Sequence, residues 1–130
     1  MARTDTLSVS INAKPDSVWE FVADLNNWKK FSDFGKNLEQ LSAEEWVSHT
    51  SQGDVKVLTK FDKRQLSLDH VCVMPDDQEV FIPYRILKHG DTSELVMTNQ
   101  QADGNSEQEY NEQLNWMRQE LDTIKLLLEK

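Results

Sequence analysis

His70 and Tyr84 are the residues of this chain best suited to chemistry. An imidazole titrates near neutrality and can take or give a proton. A phenol can donate a hydrogen bond to a ligand oxygen or to a developing oxyanion. His70 falls in an alternating run: Leu66, Leu68, His70, Cys72 and Met74 share one strand face, and Ser67, Asp69, Val71 and Val73 take the other. Tyr84 shares a face with Val80, Ile82 and Ile86. Both faces are mainly apolar, so both polar groups are expected inside. The bland reading of His70 is a core residue bonded to neighbouring backbone or to an aspartate. A buried Tyr84 hydroxyl needs a partner, which could be His70, a water or a ligand. Asp69 and Arg85 alternate with this pair and are expected to form a cross-strand ion pair outside the sheet. At a surface such a pair contributes under about 1 kcal/mol.

Other chemistries find little support. His49, His70 and His89 lie on separate segments without ligand spacing, so no metal is expected. The one cysteine, Cys72, permits no internal disulfide, and with no base beside it reads as inert core. No phosphate loop, dinucleotide glycine motif or Ser/His/Asp arrangement appears, and no cofactor is expected. The balance of 23 acidic to 14 basic residues, formally −9, disfavours nucleic acid and anionic membranes as partners. Lys60, Lys63 and Arg64 form the one cationic cluster, small and interrupted by Asp62. No secretory leader is apparent, and no apolar run approaches the ~20 residues a membrane span needs. A cytoplasmic protein without integral membrane association is expected.

The elements that must position His70 and Tyr84 are organised around the last one. Tyr110, Leu114, Met117, Leu121, Ile124 and Leu128 recur at steps of three and four, one face of a helix over residues 106–129. Ser106 and Glu109 have the spacing of a capping box. A stripe this long must be buried against something: the upstream chain, or a second copy in a coiled-coil dimer. Upstream, Thr4–Ile11 alternates as a strand with Leu7, Val9 and Ile11 inward. Pro15 opens a helix carrying Val18, Phe21, Val22 and Leu25. Trp28 and Phe31 extend the apolar face into a second short helix and are the aromatics best placed at a pocket entrance. About six strands follow, joined by turns such as Gln52-Gly53-Asp54, Pro75-Asp76-Asp77-Gln78 and His89-Gly90-Asp91. Pro83 marks an edge, a bulge or a position whose N–H is not needed. The expected fold is therefore α+β, one domain over residues 1–130. In this helix-grip arrangement a curved antiparallel sheet of six to seven strands wraps around the long C-terminal helix, with two short helices after the first strand.

This order of elements, with particular residues, resembles the SRPBCC superfamily of START, birch-pollen-allergen-like and polyketide cyclase/dehydrase-like proteins. The stretch from Ser10 through Pro15, Val18-Trp19 and Asp24 is similar to the superfamily's strand-to-helix entry, and Trp28 follows where an aromatic is usual. Leu68-Asp69-His70, Pro83-x-Arg85, Gly90-Asp91-x-x-Glu94 and the ending Met117, Leu121, Lys125, Leu128-Glu129 resemble one small bacterial branch. Where cyclases carry a more conspicuous Gly-rich turn, this chain has Gln52-Gly53-Asp54. The resemblance implies a cavity between sheet and helix. Such a cavity takes a small hydrophobic or amphipathic ligand, a lipid among the candidates. His70, Tyr84, Trp28, Phe31, Leu68, Met74, Met117 and Leu121 are the residues expected to line it. The alternatives are a cyclase/dehydratase-like enzyme, with His70 as general base and Tyr84 as oxyanion donor, and a protein-interaction module with a filled core. In the latter the acidic surface and Trp116, which falls beside the helix stripe, would meet a partner, a homodimer included. Fold by itself decides none of these.

Overall fold

The computed structural model describes residues 2–130. Strand β1, Thr4–Ile11, leads into helix α1, Pro15–Ala23, with proline in the first turn, where its missing N–H costs nothing. Two 3₁₀ helices follow, Leu25–Lys30 and Asp33–Asn37. Strands β2 (Leu38–Gln40), β3 (Glu45–Thr50), β4 (Gly53–Thr59), β5 (His70–Val73) and β6 (Glu79–Ile82) form one antiparallel sheet in that order. Strands β7 (Tyr84–His89) and β8 (Thr92–Gln100) join β1 in a second, of order β1-β8-β7. Helix α2, Glu107–Leu128, ends the fold.

The eight strands exceed the six to seven expected, and they divide between two sheets. The division falls at Pro83. Without an N–H, proline cannot continue a ladder as donor. The chain leaves β6 there and enters β7, while the Thr98 amide donates to the Pro83 carbonyl at 3.0 Å. Residues 66–69 also depart from expectation. They alternate in sequence like a strand, yet β5 begins only at His70. Leu66 adopts a left-handed conformation at φ 55°, and Ser67 makes isolated bridges to Asp62 and Arg85. The second short helix is replaced by the paired 3₁₀ helices. They close tightly on each other: a Cβ on Gly35 would stand 2.5 Å from the Trp28 carbonyl carbon.

Two apolar clusters fill the molecule. One joins α1 and α2 to the three-stranded sheet through Val18, Val22, Leu68, Leu95, Met117, Leu121 and Ile124. The other joins the first 3₁₀ helix to the five-stranded sheet through Leu25, Trp28, Trp46, Val55, Val57 and Cys72. Phe31, Phe61 and Ile82 touch both. The helix stripe buries Tyr110, Met117, Leu121 and Ile124 as expected, and the capping box forms: Ser106 Oγ accepts from the Glu109 amide at 3.1 Å, and Glu109 accepts from the Ser106 amide at 3.0 Å. The stripe is thus covered by the upstream chain.

One flank of α2 is tied to β1. Arg118 donates to the Ser8 carbonyl at 2.8 Å, Lys125 to the Ser10 carbonyl at 2.7 Å, and the Asn12 amide to Glu129 at 2.8 Å. Near its start, the Tyr110 hydroxyl donates to the Asn99 carbonyl at 3.0 Å. Among the described residues, no side chain of α2 is hydrogen-bonded to strands β2 to β6. The helix is thus tied by hydrogen bonds mainly along the flank that faces β1.

Candidate functional site

His70 opens β5, paired with Thr59 of β4 and Ile82 of β6, and is 2% exposed. Its Nδ1 lies 3.0 Å from the Leu68 carbonyl, which can only accept; the proton is therefore on Nδ1. That fixes the tautomer and leaves the lone pair of Nε2 bare. Aromatic rings surround the imidazole: Trp28 at 5.4 Å between centroids, Tyr84 at 6.1 Å and Phe61 at 6.4 Å. Burial among them holds His70 below its ordinary pKa, outweighing the Leu68 carbonyl and the nearby Asp69 charge.

Tyr84 starts β7 just beyond Pro83, and Asp69 fixes that start. Asp69 Oδ1 accepts from the Tyr84 amide at 2.8 Å, and Oδ2 accepts from Arg85 at 2.8 Å. The expected Asp69–Arg85 ion pair is present, but Asp69 is buried, while the Arg85 side chain is 60% exposed. Desolvation works against the Asp69 charge. Arg85, the Tyr84 amide and Ser67 together outweigh it and hold the carboxyl below its ordinary value. The pair belongs to the joint between the two sheets.

A third group was not legible in the sequence. Glu120 of α2 lies a turn from Met117 and Ile124, both buried, and is itself half-buried. Its charge bears on Tyr84 and on Cys72. Burial, aided by Asp33 and opposed by Ser32, pushes the Glu120 carboxyl up to about 7. The same burial and the Glu120 charge push the Cys72 thiol up to about 12 and raise Tyr84. The thiol is therefore protonated and unreactive at neutral pH. The available signal was positional: residue 120 follows Met117 by three and precedes Ile124 by four, at the margin of the stripe.

No described residue hydrogen-bonds His70 Nε2 or the Tyr84 hydroxyl. Neither atom is sealed from solvent either, because among the described residues the sealed side-chain atom lacking a hydrogen bond is Asp5 Oδ2. Both therefore keep a little accessible surface. A neutral imidazole with a free lone pair and a protonated phenol thus lie side by side where the two sheets meet, and the Glu120 charge bears on the phenol.

The other expected lining residues are distributed around this region. Trp28 is in it, its indole N–H donating to the Val22 carbonyl at 2.8 Å, and Phe31 packs on Trp28 at 6.4 Å. Leu68, Met117 and Leu121 are buried in the cluster against the three-stranded sheet. Met74 is half-buried against the other cluster and also borders an outer hollow of about 370 Å³ between Glu39, His49, Asp54 and Pro75. There His49 bridges Asp54 at 2.9 Å and Glu39 at 3.0 Å, which requires both ring nitrogens to carry protons and raises its pKa. A second hollow, about 570 Å³, lies at the end of α2 beside Thr123, Leu126 and Leu127. Neither hollow is lined by His70 or Tyr84. Trp116 is 61% exposed. Among the described residues, no group of three His, Cys, Asp or Glu side chains is placed to hold a metal, and no helix is long and apolar enough to cross a membrane.

Antiparallel sheets curved about a long C-terminal helix, closed by short helices after the first strand, define a helix-grip fold. Solved structures share it. DynU16, from the dynemicin biosynthetic locus, superposes with a TM-score of 0.73 at 15% identity, over 98% of this chain and 47% of its own. StfQ, the di-domain ARO/CYC of the steffimycin biosynthetic pathway, gives 0.73 at 13%, over 96% of this chain and 45% of its own. This chain thus spans about half of each of those proteins. The Aha1 dimer from Colwellia psychrerythraea gives 0.76 at 12% identity, over 98% and 96%. No family model and no curated protein matches the chain.

Proposed function

We propose that this chain binds a small hydrophobic or amphipathic molecule between the five-stranded sheet and α2. The molecule's apolar part lies against Trp28, Phe31 and Phe61, and its polar end meets His70 and Tyr84. One observation carries the reading: two buried side chains, His70 and Tyr84, lie 6.1 Å apart between ring centroids, and no described residue hydrogen-bonds the polar atom at the end of either. Buried polar groups are ordinarily paired, and an unpaired one costs about 1–3 kcal/mol. A ligand or a water that pairs them removes that cost. The 3₁₀ helices supply the way in, because Trp28 and Phe31 cover His70 there.

Native mass spectrometry of protein purified from its host, followed by solvent extraction, tests this. The expected result is a stoichiometric small molecule that is lost from His70→Leu or Tyr84→Phe. A clean unliganded mass, with no uptake of a hydrophobic dye, would overturn the reading and turn attention to the exposed Trp116 face as a protein contact.

A second reading is favoured by the same cluster. His70, neutral and with a bare Nε2, has the form of a general base, and protonated Tyr84 that of an oxyanion donor, as in a cyclase/dehydratase-like enzyme. Recovery of an altered product from the wild type, but of unaltered ligand from Tyr84→Phe, separates catalysis from binding alone.

A further inference from the structure

Helix α2 carries two stripes, and the rest of the fold covers one of them. The covered stripe buries Tyr110, Met117, Leu121 and Ile124. On the opposite side Glu112, Trp116, Gln119, Thr123, Leu126 and Lys130 recur at steps of four, three, four, three and four, the spacing of a second helical face. Trp116 is 61% exposed and Leu126 is 66% exposed, the two most exposed large apolar side chains described. Leu126, Leu127, Thr123 and Lys130 border the hollow of about 570 Å³ at the end of the helix. Among the described residues, the side-chain hydrogen bond of this stripe stays within the helix: Thr123 Oγ1 donates to the Gln119 carbonyl at 2.8 Å. The cations that tie α2 to β1, Arg118 and Lys125, project from a different flank and leave the outer face clear.

We propose that this outer face of α2 is the contact of a homodimer in which two copies of the helix pack antiparallel. The order of the stripe selects a second copy as the occupant. Read from either end it runs charged, apolar, polar, polar, apolar, charged, and its two ends are of opposite sign. About a two-fold axis beside residue 121, Glu112 of one copy meets Lys130 of the other, Trp116 meets Leu126, and Gln119 meets Thr123. Each pairing then occurs twice, as an isologous contact requires. The Trp116 indole of each copy enters the hollow at Thr123, Leu126 and Leu127 of the other. A parallel pairing would instead set Glu112 against Glu112 and leave both hollows unfilled. An anionic membrane is a poor alternative for a stripe that includes Glu112, on a chain of net charge −9. The contact runs along roughly 25 Å of helix at 1.5 Å per residue. One helix face is at the small end of specific interfaces, so association is expected at a Kd of about 10–100 μM.

Sedimentation equilibrium of the intact protein from about 5 μM to about 1 mM tests this. A monomer–dimer equilibrium is expected. Trp116→Ala and Leu126→Ala should each raise the dissociation constant at least about tenfold, since each removes two apolar contacts per dimer. All these side chains are exposed or half-buried, so the variants should keep the wild-type fold. Charge exchange then reads the register. Glu112→Lys and Lys130→Glu should each weaken the dimer, about threefold or more, by placing like charges together. The double exchange restores both pairs and should return the constant to within about twofold of wild type. A protein still monomeric at about 1 mM overturns the proposal. So does a dimer indifferent to both Trp116→Ala and Leu126→Ala, which would join through another surface. A double exchange no tighter than the single ones overturns the antiparallel register. Vesicles of phosphatidylcholine with phosphatidylglycerol provide the remaining control: a monomer that binds them through Trp116 would assign the face to lipid instead.

Discussion

Glu120 brings a protonation equilibrium into the interior, and stability must respond to it. Its folded-state pKa, about 7, lies above its ordinary 4.5. The folded state therefore binds the proton more tightly than the unfolded chain does. The associated stability is fully present below about pH 4.5 and is lost as pH rises through about 7. Glu120→Gln removes this dependence. Allowing for its partial exposure, the variant should be about 1–2 kcal/mol more stable than wild type at about pH 8 and no more stable at about pH 4. Urea unfolding at the two pH values measures this, and an equal effect at both would show that the carboxyl is solvated. The burial of the candidate site residues was legible in part. His70 and Tyr84 were readable because each sits at an apolar phase of a two-residue repeat. Glu120 was not, because a glutamate at the margin of a helical stripe looks the same whether it turns outward or inward. Only the curvature of the sheet and the position of Ser32 decide that, and both depend on distant parts of the chain.

At the scale of elements, local chemistry was the reliable guide. The start of α2 follows from Ser106 and Glu109, whose reciprocal bonds satisfy two end amides without help from the rest of the fold. Ser106→Ala should cost about 1 kcal/mol, read as a lower denaturant midpoint with an unchanged slope. No shift in midpoint would mean that packing of Tyr110 and the Arg3 guanidinium, 5.0 Å above its ring, alone holds that end. The failures were nonlocal. Residues 66–69 have strand alternation but lack a strand's neighbours over their whole length. Leu68 donates to the Tyr84 carbonyl and the Ile86 amide donates to the Leu66 carbonyl, while the Ser67 carbonyl accepts from the Trp19 indole. These bonds bring α1 and β7 to the segment that delivers His70. Alternation in sequence marks Leu66, Leu68 and His70 for burial, and they are buried, but Ser67 and Asp69 of the opposite phase are buried as well. It does not record whether a ladder partner is present, and that decided between strand and loop.

At the scale of the whole molecule, the two sheets and the two apolar clusters define parts of unequal constraint. Strands β1 and β8 pair along their full lengths, and α2 is bonded to β1 at several points. The five-stranded sheet ends in the three-residue β2 and is covered by 3₁₀ helices, whose hydrogen-bond geometry is poorer than that of an α-helix. Local opening takes the elements with the fewest such ties first. Native-state hydrogen exchange should therefore find the amides of β1, β8 and the middle of α2 in one slow class, near global stability. Those of the two 3₁₀ helices and β2 should exchange through smaller openings of lower free energy. The binding reading requires this order, because Trp28 and Phe31 must yield for a molecule to reach His70 and Tyr84, while α2 stays anchored along β1. A ligand bound at His70 and Tyr84 should slow exchange in residues 25–37 far more than in β1. If the 3₁₀ segment exchanged only by global unfolding, no route to His70 and Tyr84 would open in the native state. The polar cluster would then be part of a closed core.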